Sequence, residues 1–241
     1  MRPDKKLKPV KIAAFDTSSS SGSIAILDDG RLVAELNVPR PGLHAEWLLE
    51  AFGRMLKDIG AAVSDIDLYA VGAGPGSFTG LRIGISVVKG LAWACGKRVA
   101  GVSTLEALAM NLRGSDIAVC PILDARKGEV YAAVYGFNGE AMRVIIEEAA
   151  FKPAILFARI REAGLADGVI FLGEGLRAYQ AQVMDNLPGA AIAPAELWHV
   201  RALNVAMLAM NAPEKMVEPG ALVPVYLRKS EVEVKAARPG A

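Results

Sequence analysis

The feature that most constrains the fold of this chain is a glycine-rich run at residues 71–91, Val-Gly-Ala-Gly-Pro-Gly-Ser-Phe-Thr-Gly-Leu-Arg-Ile-Gly-Ile-Ser-Val-Val-Lys-Gly-Leu. Three glycines and a proline lie within residues 72–76, so a tight, exposed loop is expected there. Ser77 or Thr79 can cap a helix from about Gly80 to about Cys95. The N-terminus of a helix suits an anion, because its free N–H groups and positive dipole end converge there. The spacing matches neither the dinucleotide fingerprint nor the P-loop, so an anion site and a plain tight turn both stay open.

The predicted helix carries apolar residues on more than one side. They form two stripes, one of Ile83, Val87, Leu91 and Ala94, the other of Leu81, Ile85, Val88, Ala92 and Cys95. A helix at the surface of a domain needs one stripe, so this one is expected to be covered on two sides. Either its own domain covers both sides, or a partner protein covers one of them. Gly84 and Gly90 each cost about 1 kcal/mol in a helix interior, which makes sense where another backbone approaches closely.

The remaining periodicity indicates two lobes of strands and helices, hence an α/β fold. In the first lobe, strands are predicted at about 11–16, 23–27, 32–38 and 68–72, and a helix at about 43–59. In the second, a helix is predicted at 102–112, with Ser103 as its cap. Further strands are predicted at 117–123, 129–137 and 169–172, and further helices at 155–163 and 202–211.

Composition argues against several kinds of site. The chain has 27 Lys and Arg against 26 Asp and Glu, a net charge of +1 that does not suggest a protein gripping RNA by itself. Cys95 and Cys120 lie among apolar residues and are expected to be buried thiols. The two histidines, His44 and His199, are far apart in sequence, so no metal site is predicted. No unbroken apolar run is long enough for a membrane span or signal peptide, so a cytoplasmic protein is expected.

Three motifs occur in an order that resembles one family. They are Phe15-Asp-Thr-Ser-Ser19, Gly74-Pro-Gly-Ser-Phe-Thr-Gly-Leu-Arg-Ile-Gly84 and Pro121-Ile-Leu-Asp-Ala-Arg-Lys-Gly-Glu-Val-Tyr131. Together they resemble the TsaB (YeaZ) family. The resemblance implies a two-lobed fold of the actin/sugar-kinase/Hsp70 (ribonuclease H-like) type, each lobe a mixed sheet with flanking helices. It places the lobes at residues 10–100 and 101–230, with flexible tails at 1–9 and 231–241, and allows the last helix to pack back on the first lobe.

The resemblance also implies a function. A member of this family is expected to be a non-catalytic accessory subunit that binds and activates the TsaD-type threonylcarbamoyltransferase, which makes N6-threonylcarbamoyladenosine at adenosine 37 of tRNA. The expected partners are that TsaD-type subunit, a TsaE-type ATPase and, in isolation, a second copy of the chain, with tRNA contacted only indirectly. TsaD itself is known by a His-x-x-x-His metal pair. In this chain Leu48 stands four residues after His44, so the pair is absent.

By the same resemblance, the two helices of the first lobe form the partner interface. The predicted interface residues are Leu48, Phe52, Leu81, Arg82, Gly84, Ile85, Val88, Lys89 and Ala92.

Candidate phosphate contacts also come from the resemblance. They are Asp16, Thr17, Ser18 and Ser19 in the first lobe, and Asp124 and Arg126 in the second. The short hydroxylated side chains could instead simply hydrogen-bond their own turn. Arg126 stands where related ATPases favour glycine, and it could hold a phosphate or pair with Asp124 or Glu129. Gly173-Glu-Gly175 could seat a nucleoside or turn the chain.

Two other classes of function stay open at this stage. The chain could itself be an ATP-dependent transferase or kinase that uses Asp16 and Asp124, or a homodimeric nucleotide-binding protein. Arg126 and the missing histidine pair favour the accessory role, with ATP or ADP expected, if anywhere, at an interface with the partner proteins.

Overall fold

A computed structural model describes residues 10–39 and 45–228 of the chain. Together these two ranges contain eleven β-strands and six α-helices. The predicted tails at 1–9 and 231–241, and His44, lie outside the described residues.

The first sheet begins with an antiparallel meander of strands β1 (Lys11–Asp16), β2 (Ser21–Asp28) and β3 (Arg31–Pro39). Two parallel strands follow on the other side of β1, namely β4 (Leu68–Gly74) and β5 (Arg98–Ser103). All residues of β4 are buried, which explains the unbroken apolar character of its sequence.

The second sheet repeats this arrangement. Strands β6 (Ala118–Arg126), β7 (Glu129–Asn138) and β8 (Ala141–Phe151) form an antiparallel meander. Strands β9 (Val169–Leu172) and β10 (Ala191–Ile192) add in parallel beside β6. A two-residue strand, β11 (Met216–Val217), returns to the first sheet. The strand orders are β11-β5-β4-β1-β2-β3 and β10-β9-β6-β7-β8, so each lobe has the strand plan expected of the actin/sugar-kinase/Hsp70 type, and the predicted fold is confirmed.

The six α-helices of the described ranges cover the sheets. They are α1 (Ala45–Asp58), α2 (Phe78–Cys95), α3 (Thr104–Ala109), α4 (Pro153–Glu162), α5 (Leu176–Asn186) and α6 (Ala202–Met210). One apolar cluster joins α1 and α2 to the outer face of the first sheet, and another joins α4 and α5 to the second. A third cluster holds α3 and α6 together with residues of both sheets, so these helices form the shared core of the two lobes.

Most sequence predictions of individual elements are confirmed. Ser77 caps α2, accepting a hydrogen bond from the Gly80 amide at 3.3 Å, and the helix begins two residues earlier than predicted. The predicted helix at 102–112 is wrong at its start, because residues 102 and 103 belong to β5, and only 104–109 are α-helical. Ser103 nevertheless caps α3 as predicted, accepting from the amides of Leu105 and Glu106. Strand β5 runs across the predicted lobe boundary at 100/101, and α6 contacts β1, β2 and β4.

Helix α2 is, by length and composition alone, apolar enough to cross a membrane, which the sequence prediction did not anticipate. In the structure its apolar residues enter the core of the first lobe, where α2 packs on β4 and β1. Among the described residues both cysteines are free thiols, and Cys120 is buried as predicted, whereas Cys95 is only half-buried.

Candidate functional site

The glycine-rich run packs against the end of β1. A β-carbon on Gly72 would overlap the Asp16 carboxyl, and one on Gly80 would overlap the Thr17 carbonyl oxygen. A β-carbon on Gly76 would lie 2.5 Å from the Ser18 carbonyl oxygen. Together with Gly84, which meets the Thr17 hydroxyl in the same way, these glycines are spaced four residues apart along the run. They are therefore required by close packing of the chain against its own residues 16–18.

Asp16 is buried, with only 1% of its surface exposed. Its Oδ1 accepts hydrogen bonds from the Ser18 amide at 3.1 Å and the Ser18 hydroxyl at 2.9 Å, whereas Oδ2 is buried without a partner. Burial disfavours the charged form and raises the pKa of this carboxyl to about 7, even though the Ser18 hydrogen bonds act in the opposite direction. Asp16 does not line the cleft between the lobes, so the structure gives no support to its predicted phosphate contact.

Thr17 is also used within the chain. Its hydroxyl donates to the Gly80 carbonyl at 2.7 Å, and its side chain is buried. The Ser77 amide, at the start of α2, donates to the Ser18 carbonyl at 2.7 Å. Part of the helix N-terminus that could have received an anion is thus taken up by the β1 hairpin. Of the two alternatives for the loop, this arrangement favours the tight turn.

The lobes enclose a cleft of about 580 Å³. It is lined by Ser18 and Ser19 of the first lobe and by Asp124 and Arg126 of the second, four of the six candidate phosphate contacts, whose binding of phosphate stays a prediction. The complete lining is Ser18, Ser19, Ser20, Gly76, Ser77, Phe78, Leu123, Asp124, Ala125, Arg126, Tyr131 and Glu174.

The second-lobe side of the cleft is a turn that pairs its own charges. Asp124 Oδ1 accepts from the Arg126 amide at 2.8 Å, and Oδ2 lies 3.3 Å from the Arg126 guanidinium. Arg126, Lys127 and Gly128 all have positive φ, which folds the turn back on Asp124. Arg126 was expected to hold a phosphate or to pair with Asp124 or Glu129. In the structure it pairs with Asp124, whereas Glu129 pairs with Arg228 at 3.5 Å.

Glu174 joins the two lobes, a role that the sequence did not predict. Its carboxylate accepts hydrogen bonds from the Ser20 amide at 2.9 Å and from the Ser20 hydroxyl, and lies 3.3 Å from His199 Nδ1. Partial burial would raise its pKa, but the contacts from His199 and Ser20 outweigh that effect and lower it to about 2. The glycines on either side of it, Gly173 and Gly175, pack on the Ile122 carbonyl and form a tight turn. An acidic residue in a tight turn after a buried strand was the one feature of the sequence that could have pointed to this contact.

The helices predicted to form the partner surface turn most of the named residues inwards. Arg82 is exposed and Lys89 half-buried, but the other seven side-chain positions are buried in the core of the first lobe: Leu48, Phe52, Leu81, Gly84, Ile85, Val88 and Ala92. The reason is that α1 and the second stripe of α2 pack on the chain's own first sheet, while the first stripe is only partly covered and ends at the exposed Ala94. The structure therefore does not support these seven positions as outward-facing contacts, and a partner surface on the two helices stays a prediction.

A different set of residues forms the outer face of α1 and α2. Trp93 is 68% exposed and Leu49 46% exposed. Small exposed residues accompany them, namely Gly53 on α1 and Ser86, Gly90 and Ala94 on α2. We call these six residues the outer helix face.

Within the described residues, no group of three or more His, Cys, Asp or Glu side chains could hold a metal ion. The polar lining of the cleft includes several hydroxyl groups and two carboxylates. The Asp124 carboxylate is paired within its own turn, and the Glu174 carboxylate binds Ser20 of the opposite lobe.

Comparison with known proteins agrees with the fold and motifs. The family model described as TsaD, tRNA N6-adenosine threonylcarbamoyltransferase, matches residues 42–236. The chain is 31% identical over 225 residues to the tRNA threonylcarbamoyladenosine biosynthesis protein TsaB of Bacillus subtilis, covering 93% of this chain and 96% of that protein. It is 32% identical over 231 residues to the TsaB of Escherichia coli, covering 92% and 96%.

Solved structures give the same result. The structure of YeaZ from Pseudomonas aeruginosa superposes with a TM-score of 0.74 and 33% identity, covering 90% of this chain and 99% of that one. A second Pseudomonas aeruginosa protein, described as similar to the peptidase YEAZ, superposes with a TM-score of 0.77 and 34% identity, covering 91% and 100%. The chain belongs to the TsaB (YeaZ) family, whose members serve the biosynthesis of threonylcarbamoyladenosine in tRNA.

Proposed function

We propose that this chain is a non-catalytic accessory subunit that binds and activates a TsaD-type threonylcarbamoyltransferase. The observation that carries the proposal is that the acidic side chains lining the cleft already have partners within the chain. Of the two acidic residues that line the cleft, Asp124 pairs with Arg126 and Glu174 binds Ser20, whereas Asp16 and Thr17 are buried outside it against the glycine-rich run. A cleft whose acidic groups are engaged in this way is a poor candidate for phosphoryl or carbamoyl transfer.

The partner surface that we assign is the outer helix face. A β-carbon added at Gly53 or Gly90 would meet no atom within 4 Å, so nothing inside the chain requires glycine at either position. Glycine in a helix interior costs about 1 kcal/mol relative to alanine. Open glycines beside Trp93 and Leu49 are what a closely packed helical partner would need, since they let backbones approach while the large side chains are buried.

The effect on the partner is indirect. Burying one large apolar side chain contributes roughly 1.5–3 kcal/mol, so Trp93 and Leu49 together could bias an equilibrium between two arrangements of the partner's lobes. Such a bias requires that the contacts differ between the two arrangements. In this proposal the partner makes the contact with tRNA, a TsaE-type ATPase joins the assembly, and the chain pairs with a second copy through the same face when the TsaD-type subunit is missing. The proposal places this activity in the cytoplasm, where tRNA is modified.

Substitution at an open glycine tests the surface without disturbing the core. Gly90→Leu fits the isolated chain, because no atom lies within 4 Å of the new β-carbon. Mixed with a TsaD-type subunit and measured by light scattering behind size-exclusion chromatography, this variant should bind at least about tenfold more weakly than the unaltered chain. Gly168→Leu is the matched control, because Gly168 is equally open but lies in the second lobe. Equal binding by all three proteins would exclude the outer helix face as the interface.

A further inference from the structure

The last described residues of the chain, 219–228, cross from the first lobe to the second. We call this segment the strap. It is held near its start by Lys89 of α2, whose ammonium donates to the carbonyls of Gly220 at 3.4 Å and Leu222 at 3.1 Å. Leu222 is buried and packs so closely on Gly101 that a β-carbon there would lie 2.8 Å from its Cδ1. The start of the strap is therefore anchored in the core of the first lobe.

Beyond this anchor the strap lies over the glycine-rich run. The Val225 amide donates to the Ala73 carbonyl at 2.8 Å. A β-carbon on Gly74, whose φ is +125°, would overlap the Val225 carbonyl oxygen. A side chain at position 74 or 101 would thus overlap the strap. This explains two glycines that do not contact β1.

The end of the strap reaches both sides of the cleft. The ring of Tyr226 stacks on Phe78 with centroids 4.8 Å apart, and the Arg82 guanidinium lies 3.8 Å from the Phe78 ring centre. Two residues later, Arg228 donates to the Ala125 carbonyl at 3.3 Å and pairs with Glu129 at 3.5 Å, both in the second lobe. Phe78 and Ala125 line the cleft on opposite lobes, so residues 226–228 bridge it.

We propose that residues 225–228 are a releasable clasp between the lobes, and that their detachment opens the cleft while Leu222 stays anchored. The difference in burial between the anchor and the clasp carries this inference, since Val225 is 48% exposed and residues 226–228 are half-buried. Leu222 is buried, whereas Val223 is 64% exposed and the Arg228–Glu129 pair about a third exposed, where ion pairs are weak. The clasp has a counterpart in Ser20 and Glu174, which form a second contact across the same cleft, and no strap residue is among those that line the cleft.

Amide hydrogen exchange of the full chain, followed residue by residue by NMR, tests the clasp. The variant is Tyr226→Ala combined with Arg228→Ala, and the matched control is Val223→Ala in the exposed part of the same segment. The Val225 amide reports attachment of the strap, the Ser20 amide reports separation of the lobes, and the amides of Ile24 and Ala25 in β2 report unfolding of the whole chain.

A clasp predicts that the double variant exchanges at least about tenfold faster at both Val225 and Ser20, with the β2 amides and the Val223→Ala control unchanged. Faster exchange at Val225 alone would overturn the proposal, because the strap would then be local packing. Equal acceleration at Ser20 and in β2 would also overturn it, since the strap would then stabilise the whole chain rather than hold the lobes together.

Discussion

Asp16 and Gly72 are in contact so close that any side chain at position 72 would overlap the buried Asp16 carboxyl. One residue ends β1 and the other lies in β4, and the two strands pair in parallel. The contact explains why the glycine-rich run begins where it does. It also explains why Asp16, the most suggestive acidic residue of the sequence, faces the protein interior rather than the cleft.

Gly72→Ala should therefore destabilise the fold. Overpacking at a buried site costs about 1–3 kcal/mol, and here the methyl group would overlap Oδ2 of the buried Asp16. Denaturant unfolding of the isolated chain measures the effect. Gly90→Ala is the control, because the added methyl lies in open space on α2 and should stabilise the chain by up to about 1 kcal/mol. Equal stability of the two variants would contradict the packing described for residues 16 and 72.

Asp16→Asn should change how stability depends on pH. The pKa of Asp16 is raised from its ordinary value of 3.8 to about 7 in the fold, so between these values the folded chain holds a proton that the unfolded chain has lost. The contribution of Asp16 to stability is thus full below about pH 4 and is lost as pH rises through 7, with a slope of at most about 1.4 kcal/mol per pH unit. Asn removes that slope.

The measurement is the difference in unfolding free energy between the unaltered chain and Asp16→Asn, taken from pH 4 to pH 8. Asp58→Asn, at an exposed carboxyl of α1, serves as the control. A constant difference for Asp16→Asn across this range would show that Asp16 titrates normally.

Glu174→Gln should behave in the opposite sense. The pKa of Glu174 is lowered from 4.5 to about 2, so its contribution is full above about pH 4.5 and disappears as pH falls through 2. Loss of the charge-assisted bonds to Ser20 should cost about 1–3 kcal/mol near neutral pH. Unfolding free energies at pH 7 and pH 2.5 check this, with Glu162→Gln at an exposed position of α4 as control. A penalty that persists unchanged at low pH would mean that the carboxylate charge is not what holds Ser20.

Ile85→Arg should unfold the first lobe rather than merely weaken a partner contact. Ile85 is buried in the core beneath α2, and an unpaired buried charge there should cost about 4 kcal/mol or more. Trp93→Ala, on the exposed side of the same helix, should leave thermal unfolding nearly unchanged. Circular dichroism melts of the two variants distinguish the faces of α2, and a folded, fully stable Ile85→Arg would place Ile85 on the surface after all.

The parts of the fold that local chemistry decides were predictable from the sequence. Ser77 and Ser103 cap their helices as expected, and the alternation at residues 117–123 and 129–137 identified β6 and β7 as strands. Helix α5 escaped prediction because it buries only Leu176 and Val183 among polar neighbours, and β8 because its burial does not alternate.

The site was harder to predict because its contacts are remote in sequence. Ser20 and Glu174 are 154 residues apart, and no local pattern links them. Which face of α2 points outwards could not be predicted for a related reason. Two apolar stripes indicate that a helix is covered on two sides but not what covers it. Gly74 and Gly101 likewise gave no hint of the strap, whose irregular backbone has no periodicity to detect.

The most direct test of the accessory role is the rate of threonylcarbamoyladenosine formation in tRNA by a reconstituted mixture of this chain with TsaD-type and TsaE-type proteins. Asp124→Asn alters the cleft and Gly90→Leu alters the outer helix face. Asp124→Asn should support formation at a rate within about twofold of the unaltered chain, whereas Gly90→Leu should lower the rate by about tenfold or more. Loss of activity in Asp124→Asn with binding to the TsaD-type subunit intact would contradict the non-catalytic role, because the chain's own cleft would then take part in the reaction.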